Sequence, residues 1–231
     1  KIWKGHATFD NLVLLSTAFS SHGIPLFIKK GTISHVDLNF PWKKLNTEAC
    51  VIEIKDVYIV CSLDGQVLIQ KDLQATEDAI HLETSKKDFS KEDAVGTWQS
   101  LANTVIDNAR IDIENIHFRI EIPWRNSYVA LGFLIPKITM HTVDENNQQI
   151  KVIKRFQILR KLLTLERLSI YFDIYSEPID LNDKFISSMM QLMDSKWPHQ
   201  FIMSPLTIEC LLIHTRNNPN VIQNQLEIQT K

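Results

Sequence analysis

Between Ile111 and Ile122 the chain alternates with a period of two. Ile116, Phe118, Ile120 and Ile122 are apolar, while His117, Arg119 and Glu121 between them are not. That period belongs to a β-strand with apolar side chains on one face and polar ones on the other. It places His117, Arg119 and Glu121 on a solvated face. The rhythm slips between Ile113 and Ile116, which predicts a bulge near Asn115. One-sided strands of this kind build antiparallel sheets, and the same rule runs through most of the chain.

His6 to Leu14 reads as a strand, followed by a helical turn over 16–21. From Ile24 an apolar strand runs into a turn at Gly31. A second strand then sets Val36, Leu38 and Phe40 against His35, Asp37 and Asn39, and stops at Pro41-Trp42. Ala49 to Ser62 carries Ile52 and Ile54 opposite Glu53 and Lys55. Ser127 to Thr142 carries Val129, Leu131, Phe133 and Ile135, with a break at Pro136. Leu162 to Tyr175 sets Leu168, Ile170, Phe172 and Ile174 against Arg167, Ser169 and Asp173. Phe201 to Thr215 carries Leu206, Ile208, Cys210 and Leu212, and 223–230 reads as one more strand.

Two helices are expected from stripes of helical period. Asp93 to Ala109 presents Trp98, Leu101, Val105 and Ala109. Leu181 to Trp197 presents Phe185, Met189 and Leu192 and is closed by Pro198. Met189, Met190 and Met193 read as core contacts. Residues 71–92 read as a mobile charged loop and 144–149 as a polar one.

A strand of fourteen residues spans roughly 45 Å at about 3.3 Å per residue, well beyond the common length of about five or six. About seven such strands present more apolar face than two helices cover. The expected fold is therefore β-rich α+β. It is a large, curved, mostly antiparallel sheet forming an open gutter with an apolar concave face. Two or three helices pack on the sheet or at its end. A closed sandwich obeys the same alternation and is the alternative architecture.

Composition and motifs argue against several function classes. A net charge of −2 and a pI near 6.5 provide no basic field, so no nucleic-acid partner is expected. No run of about 18 apolar residues crosses a bilayer as a helix. The six glycines form no GxGxxG or Walker loop, and there is no HExxH and no GxSxG. His117 and Glu121, four apart, pair as ligands only on a helix. Asp107, Asp112 and Glu114 lack a calcium-loop glycine. Cys50, Cys61 and Cys210 lack CxxC spacing and read as structural thiols. No catalytic residue, metal site or cofactor is expected. The basic cluster Lys151, Lys154, Arg155, Arg160 and Lys161 has two readings: a solvated sheet edge or a contact for anionic headgroups.

Three segments occur in a specific order: WKGHATFDNLVLL, GIPLFIKKGTISHVDLNFPWKKL and ACVIEIKDVYIVCSL. Together they resemble the chorein N-terminal region of the VPS13 family. The matching residues are Trp3, Gly5, Asn11, Leu12, Pro25, Gly31, Ile33, Pro41, Trp42, Leu45, Asp56 and Tyr58. NARIDIENIHFRIE and LLTLERLSIYFDIYSE look like the family's continuation, and the autophagy protein ATG2 shares the motif more loosely. The amphipathic helix that usually precedes the first strand is absent here, and the chain opens without Met. Residues 1–231 are therefore expected to be one chorein-type module, the N-terminal end of a longer bridge-like transporter.

The resemblance implies non-vesicular glycerophospholipid transfer between membranes at organelle contact sites. The module would sit in the cytoplasm, peripheral on membranes, with the endoplasmic reticulum on one side, and adaptor proteins on membranes are possible partners. A groove that reads only acyl chains selects weakly among headgroups. On this reading the alternation nominates Val36, Leu38, Phe40, Ile52, Ile54, Ile116, Phe118, Ile120, Ile122, Leu131, Phe133, Leu168, Ile170, Phe172, Leu206, Ile208 and Leu212 as groove residues. Lys151, Lys154, Arg155, Arg160 and Lys161 are the candidates for headgroup or membrane contact. The competing expectation is a non-enzymatic adaptor with a closed β-sandwich core that binds proteins.

Overall fold

The structure, a computed structural model, describes residues 5–41, 43–44, 48–63, 109–150, 158–194, 196–215 and 224–230. Eight strands form one sheet in chain order: β1 (His6–Val13), β2 (Leu26–Asn39), β3 (Cys50–Leu63), β4 (Ala109–Trp124), β5 (Ser127–Thr142), β6 (Ile158–Ser176), β7 (Phe201–Thr215) and β8 (Asn224–Thr230). Neighbours run antiparallel except β3 and β4, which are parallel. β1 and β8 each pair on one side only, so the sheet is open rather than closed. Among the described residues there is one α-helix, α1 (Phe185–Met193), and a 3-10 turn at Ser20–His22. Of the helix expected over Asp93 to Ala109 only Ala109 is described, and it opens strand β4 rather than ending a helix. The rest of that helix, the charged loop over 71–92 and Trp42 fall outside the described residues.

Two expected interruptions are absent. β2 runs unbroken from Leu26 to Asn39, without a turn at Gly31. The glycine is there for room: a Cβ at position 31 would stand 2.9 Å from Cδ1 of Leu14. β5 likewise passes straight through Pro136. The β4–β5 ladder pairs Ile116 with Ile135 and Glu114 with Lys137, skipping Pro136. At a position that the ladder skips, proline's lack of an N–H leaves no ladder hydrogen bond unmade.

Pro136 belongs to a row of skipped residues that crosses the sheet: Asn11, Ser34, Asp56, Asn115, Pro136 and Arg167. Four of them are left-handed, with φ of 53° at Asn11, 55° at Asp56, 57° at Asn115 and 52° at Arg167. Asn and Asp tolerate that region better than most residues. Side chains tie the row together. Ser34 Oγ donates to Asp56 Oδ2 at 2.7 Å, and Asn115 Nδ2 donates to Asp56 Oδ1 at 2.8 Å. One extra residue in each strand shifts the phase of alternation. The apolar series changes parity at this row, from Val36 to Ile33 in β2, Ile54 to Val57 in β3, Ile113 to Ile116 in β4 and Ile135 to Ile138 in β5. The bulge predicted near Asn115 is one member of this seam.

Candidate functional site

Cross-strand partners point to the same face of a sheet, so the register sorts the side chains into two sets. On one face, successive rows join Tyr58 to His117 and Leu134, then Val60 to Arg119, Gly132 and Tyr171, then Glu121 to Ala130 and Asp173. Helix α1 lies here. Phe185 and Met189 pack on Tyr58 and Val60, with Ile179, Leu181 and Met193 around them. The helical stripe read from sequence is the one that is buried, over a shorter helix than expected. Met190, however, is exposed and not a core contact.

The polar residues of this face are buried, not solvated as the alternation suggested. His117 is 0%, Arg119 1% and Glu121 1% exposed. They survive burial because each is hydrogen-bonded. Burial drives the His117 pKa down to about 3, so the ring is neutral. Its Nδ1 faces the carbonyl of Met189 at 3.2 Å, and its Nε2 faces the Tyr171 hydroxyl at 2.8 Å. A carbonyl only accepts, so Nδ1–H donates to Met189, and Nε2 accepts from Tyr171. Arg119 donates through Nε to Glu121 at 3.1 Å and through Nη2 to Ser176 Oγ at 2.6 Å. Glu121 also takes Lys29 Nζ at 2.6 Å and the backbone N–H of Ile179 at 2.8 Å. His199 stacks on Tyr171 at 3.8 Å and bridges Asp173 and the carbonyl of Leu192. Both nitrogens of each of these two buried histidines are engaged. This is a cluster that clamps the helix.

The opposite face is apolar. One row joins Leu12, Ile33, Val57, Ile116 and Ile135, and the next joins Ile59, Phe118, Phe133 and Ile170. Cys61, Ile120, Leu131 and Phe172 follow, then Ile122 with Val129. Across the seam, Val36, Ile54, Ile113, Ile138, Leu165 and Ile208 make one row, and Leu38, Ile52, Ile111, Met140, Leu163 and Cys210 another. Phe118 touches Phe133 at a centroid distance of 6.1 Å, and Phe19, just before the 3-10 turn, touches Phe118 at 5.9 Å. Most of these residues are only half-buried, Ile116, Phe118, Ile120, Leu131, Phe133, Leu168, Ile170 and Phe172 among them.

The register brings the expected groove residues on β2 to β7 into these rows, with Leu168 paired to Leu206 and Leu212 to Lys161. Phe40 lies past the end of β2 and is half-buried. Of the basic cluster, Arg160 and Lys161 are described. They sit on β6, inside the sheet and not at its edge. Lys161 is 5% exposed.

Among the described residues no three His, Cys, Asp or Glu side chains come together to hold a metal. Burial pushes the Cys61 thiol up to about 12 and raises Cys50 too, away from the reactive thiolate. No helix of the described residues is long and apolar enough to cross a membrane.

The whole chain, residues 1–231, matches the model for the VPS13-like family N-terminal region. It is 29% identical over 240 residues to the intermembrane lipid transfer protein VPS13 of Chaetomium thermophilum, an overlap of 90% of this chain and 7% of that protein. With the intermembrane lipid transfer protein VPS13A of Mus musculus the identity is 25% over 197 residues, 79% of this chain and 6% of the relative. With the intermembrane lipid transfer protein VPS13C of Homo sapiens it is 22% over 231 residues, 75% and 6%. The chain spans a small fraction of the length of these relatives. A match that runs from the first residue to the last, on an open sheet of one-sided strands, makes this chain a member of the VPS13 family, corresponding to its N-terminal region.

Proposed function

We propose that this chain shields the acyl chains of glycerophospholipids on its apolar face and forms part of a path by which lipids pass between membranes. One observation carries this reading: burial is inverted relative to polarity. The face holding His117, Arg119 and Glu121 is covered, while the face holding Phe118, Phe133 and Ile170 is half open. A monomeric soluble protein rarely leaves so large a contiguous apolar surface without a partner for it. Curvature of the sheet toward that face would make it the floor of a gutter.

Removing a phospholipid from a bilayer exposes two acyl chains, at roughly 0.8 kcal/mol per CH₂. Rows of Ile, Leu, Val and Phe along the whole path lower that barrier without a nucleophile, a base or a cofactor. The relatives' names, intermembrane lipid transfer proteins, agree with this chemistry. In the same reading the chain works peripherally at membrane contact sites, with the endoplasmic reticulum on one side and membrane adaptor proteins as partners.

The test is transfer of a fluorescent phospholipid between tethered vesicles by the purified chain. Leu168→Glu with Ile170→Asp places two carboxylates on the floor. It should abolish transfer while circular dichroism and the urea midpoint stay near wild type. Unfolding of this variant would show instead that these positions are closed core, and unchanged transfer would remove the floor from the path.

A further inference from the structure

The two rows of the floor between the seam and its β3-start end are apolar apart from Cys210, and the next row is not. Cys50 pairs with Ala109, and Thr142 pairs with Lys161, which in turn pairs with Leu212. Extending the β4–β5 register by two residues beyond Ile111 and Met140 sets Thr142 beside Ala109. Lys161 reaches across this row. Its Nζ donates to the carbonyl of Ala109, two strands away, at 2.6 Å. The side chain therefore lies along the sheet over β5 rather than rising into solvent.

Ala109 accepts one of the three N–H bonds of this ammonium. Among the described residues no carboxylate lies within ion-pair distance of it. Asp112, the acidic residue at this end of β4, is held by Arg110 at 2.7 Å. Burial lowers the Lys161 pKa to about 8, which still leaves it mostly charged at neutral pH. A buried charge without a counter-charge is costly, and a compact ammonium is suited to phosphate oxygens.

We propose that Lys161 is a headgroup-registration site: it holds the phosphate of a glycerophospholipid whose acyl chains run from this row onto the apolar floor. The proposal rests on the lipid-shielding reading and adds to it a preference for net anionic headgroups at one position. Chains on Leu163, Met140 and Ile111 carry no such preference. A phosphatidylcholine brings its own trimethylammonium close to the phosphate, whereas phosphatidic acid does not.

The purified chain is incubated with vesicles of equal dioleoylphosphatidylcholine and dioleoylphosphatidic acid, re-isolated, and its bound lipid counted by mass spectrometry. Wild type should carry phosphatidic acid enriched roughly tenfold over the vesicle ratio, the discrimination expected of one charge-assisted hydrogen bond. Lys161→Met should lose the enrichment, and Lys161→Arg should keep it. Equal ratios in wild type and Lys161→Met would overturn the site. A wild type free of any lipid would overturn the underlying lipid-shielding reading instead. Inorganic phosphate alone should leave the melting temperature of wild type unchanged. A rise that Lys161→Met lacks would assign the site to a free anion and not to a headgroup. If Lys161→Met fails to fold, Lys161→Gln serves the same comparison.

Discussion

A methyl group at position 132 would stand 2.0 Å from Cζ of Tyr171. The ring that fills this space also accepts from Arg119, donates to His117 and stacks on His199. Gly132→Ala should therefore lower stability by about 1–3 kcal/mol, read as a fall in the urea midpoint, because Tyr171 cannot move without breaking these contacts. His117 sets a pH dependence. Its folded pKa lies near 3, below the usual 6.5, so the unfolded chain binds the proton first. Stability should fall as pH drops from about 6.5 toward 3, by up to about 1.4 kcal/mol per unit. Arg119 and His199 face the ring and oppose its protonation. Urea titrations at several pH values check this: His117→Gln should show a flatter acid limb than wild type, and an equal slope would assign the limb to other groups. In the sequence, alternation correctly separated Phe118 from His117 and Arg119. What it could not supply is the lid, because the cover comes from residues about sixty to seventy positions further along the chain.

At the scale of elements, α1 is held by three side chains, Phe185, Met189 and Leu192, and by the bonds of His117 and His199 to its backbone. Met189 is fully buried in a cluster with Tyr58, Val60 and Phe185. Met189→Ala should cost about 2–5 kcal/mol in chemical denaturation, whereas Met190→Ala, at an exposed position, should change little. The stripe Phe185, Met189, Leu192 was legible because it depends only on helical spacing. Strand continuity through Gly31 and Pro136 was not, because both residues usually mark turns, and their reasons here are tertiary. Gly31 yields space to Leu14, and Pro136 falls where the ladder already skips a residue. The seam was visible as a phase slip at Asn115. Its extension through Asn11, Asp56 and Arg167 appears only when the register aligns the strands.

Over the whole molecule, period-two alternation determines which residues share a face, and it did so for the rows from Val36 to Ile208. It says nothing about which face is covered. Polarity suggested that the apolar side would be inner and the polar side wet. The chain instead spends its one described helix on the polar side, where paired charges and hydrogen bonds make burial tolerable. The apolar side is left with solvent contact, on a sheet whose two outer strands each pair on one side only among the described residues. The account stands on that inversion. Photo-crosslinking with a phospholipid carrying a diazirine on its acyl chain, followed by peptide mass spectrometry, tests it most directly. The predicted result is adducts on Phe118, Phe133, Ile170 and their row partners, with none on Tyr58, Tyr171 or Met189. Adducts on the helix-covered face, or a chain that takes up no lipid at all, would contradict it.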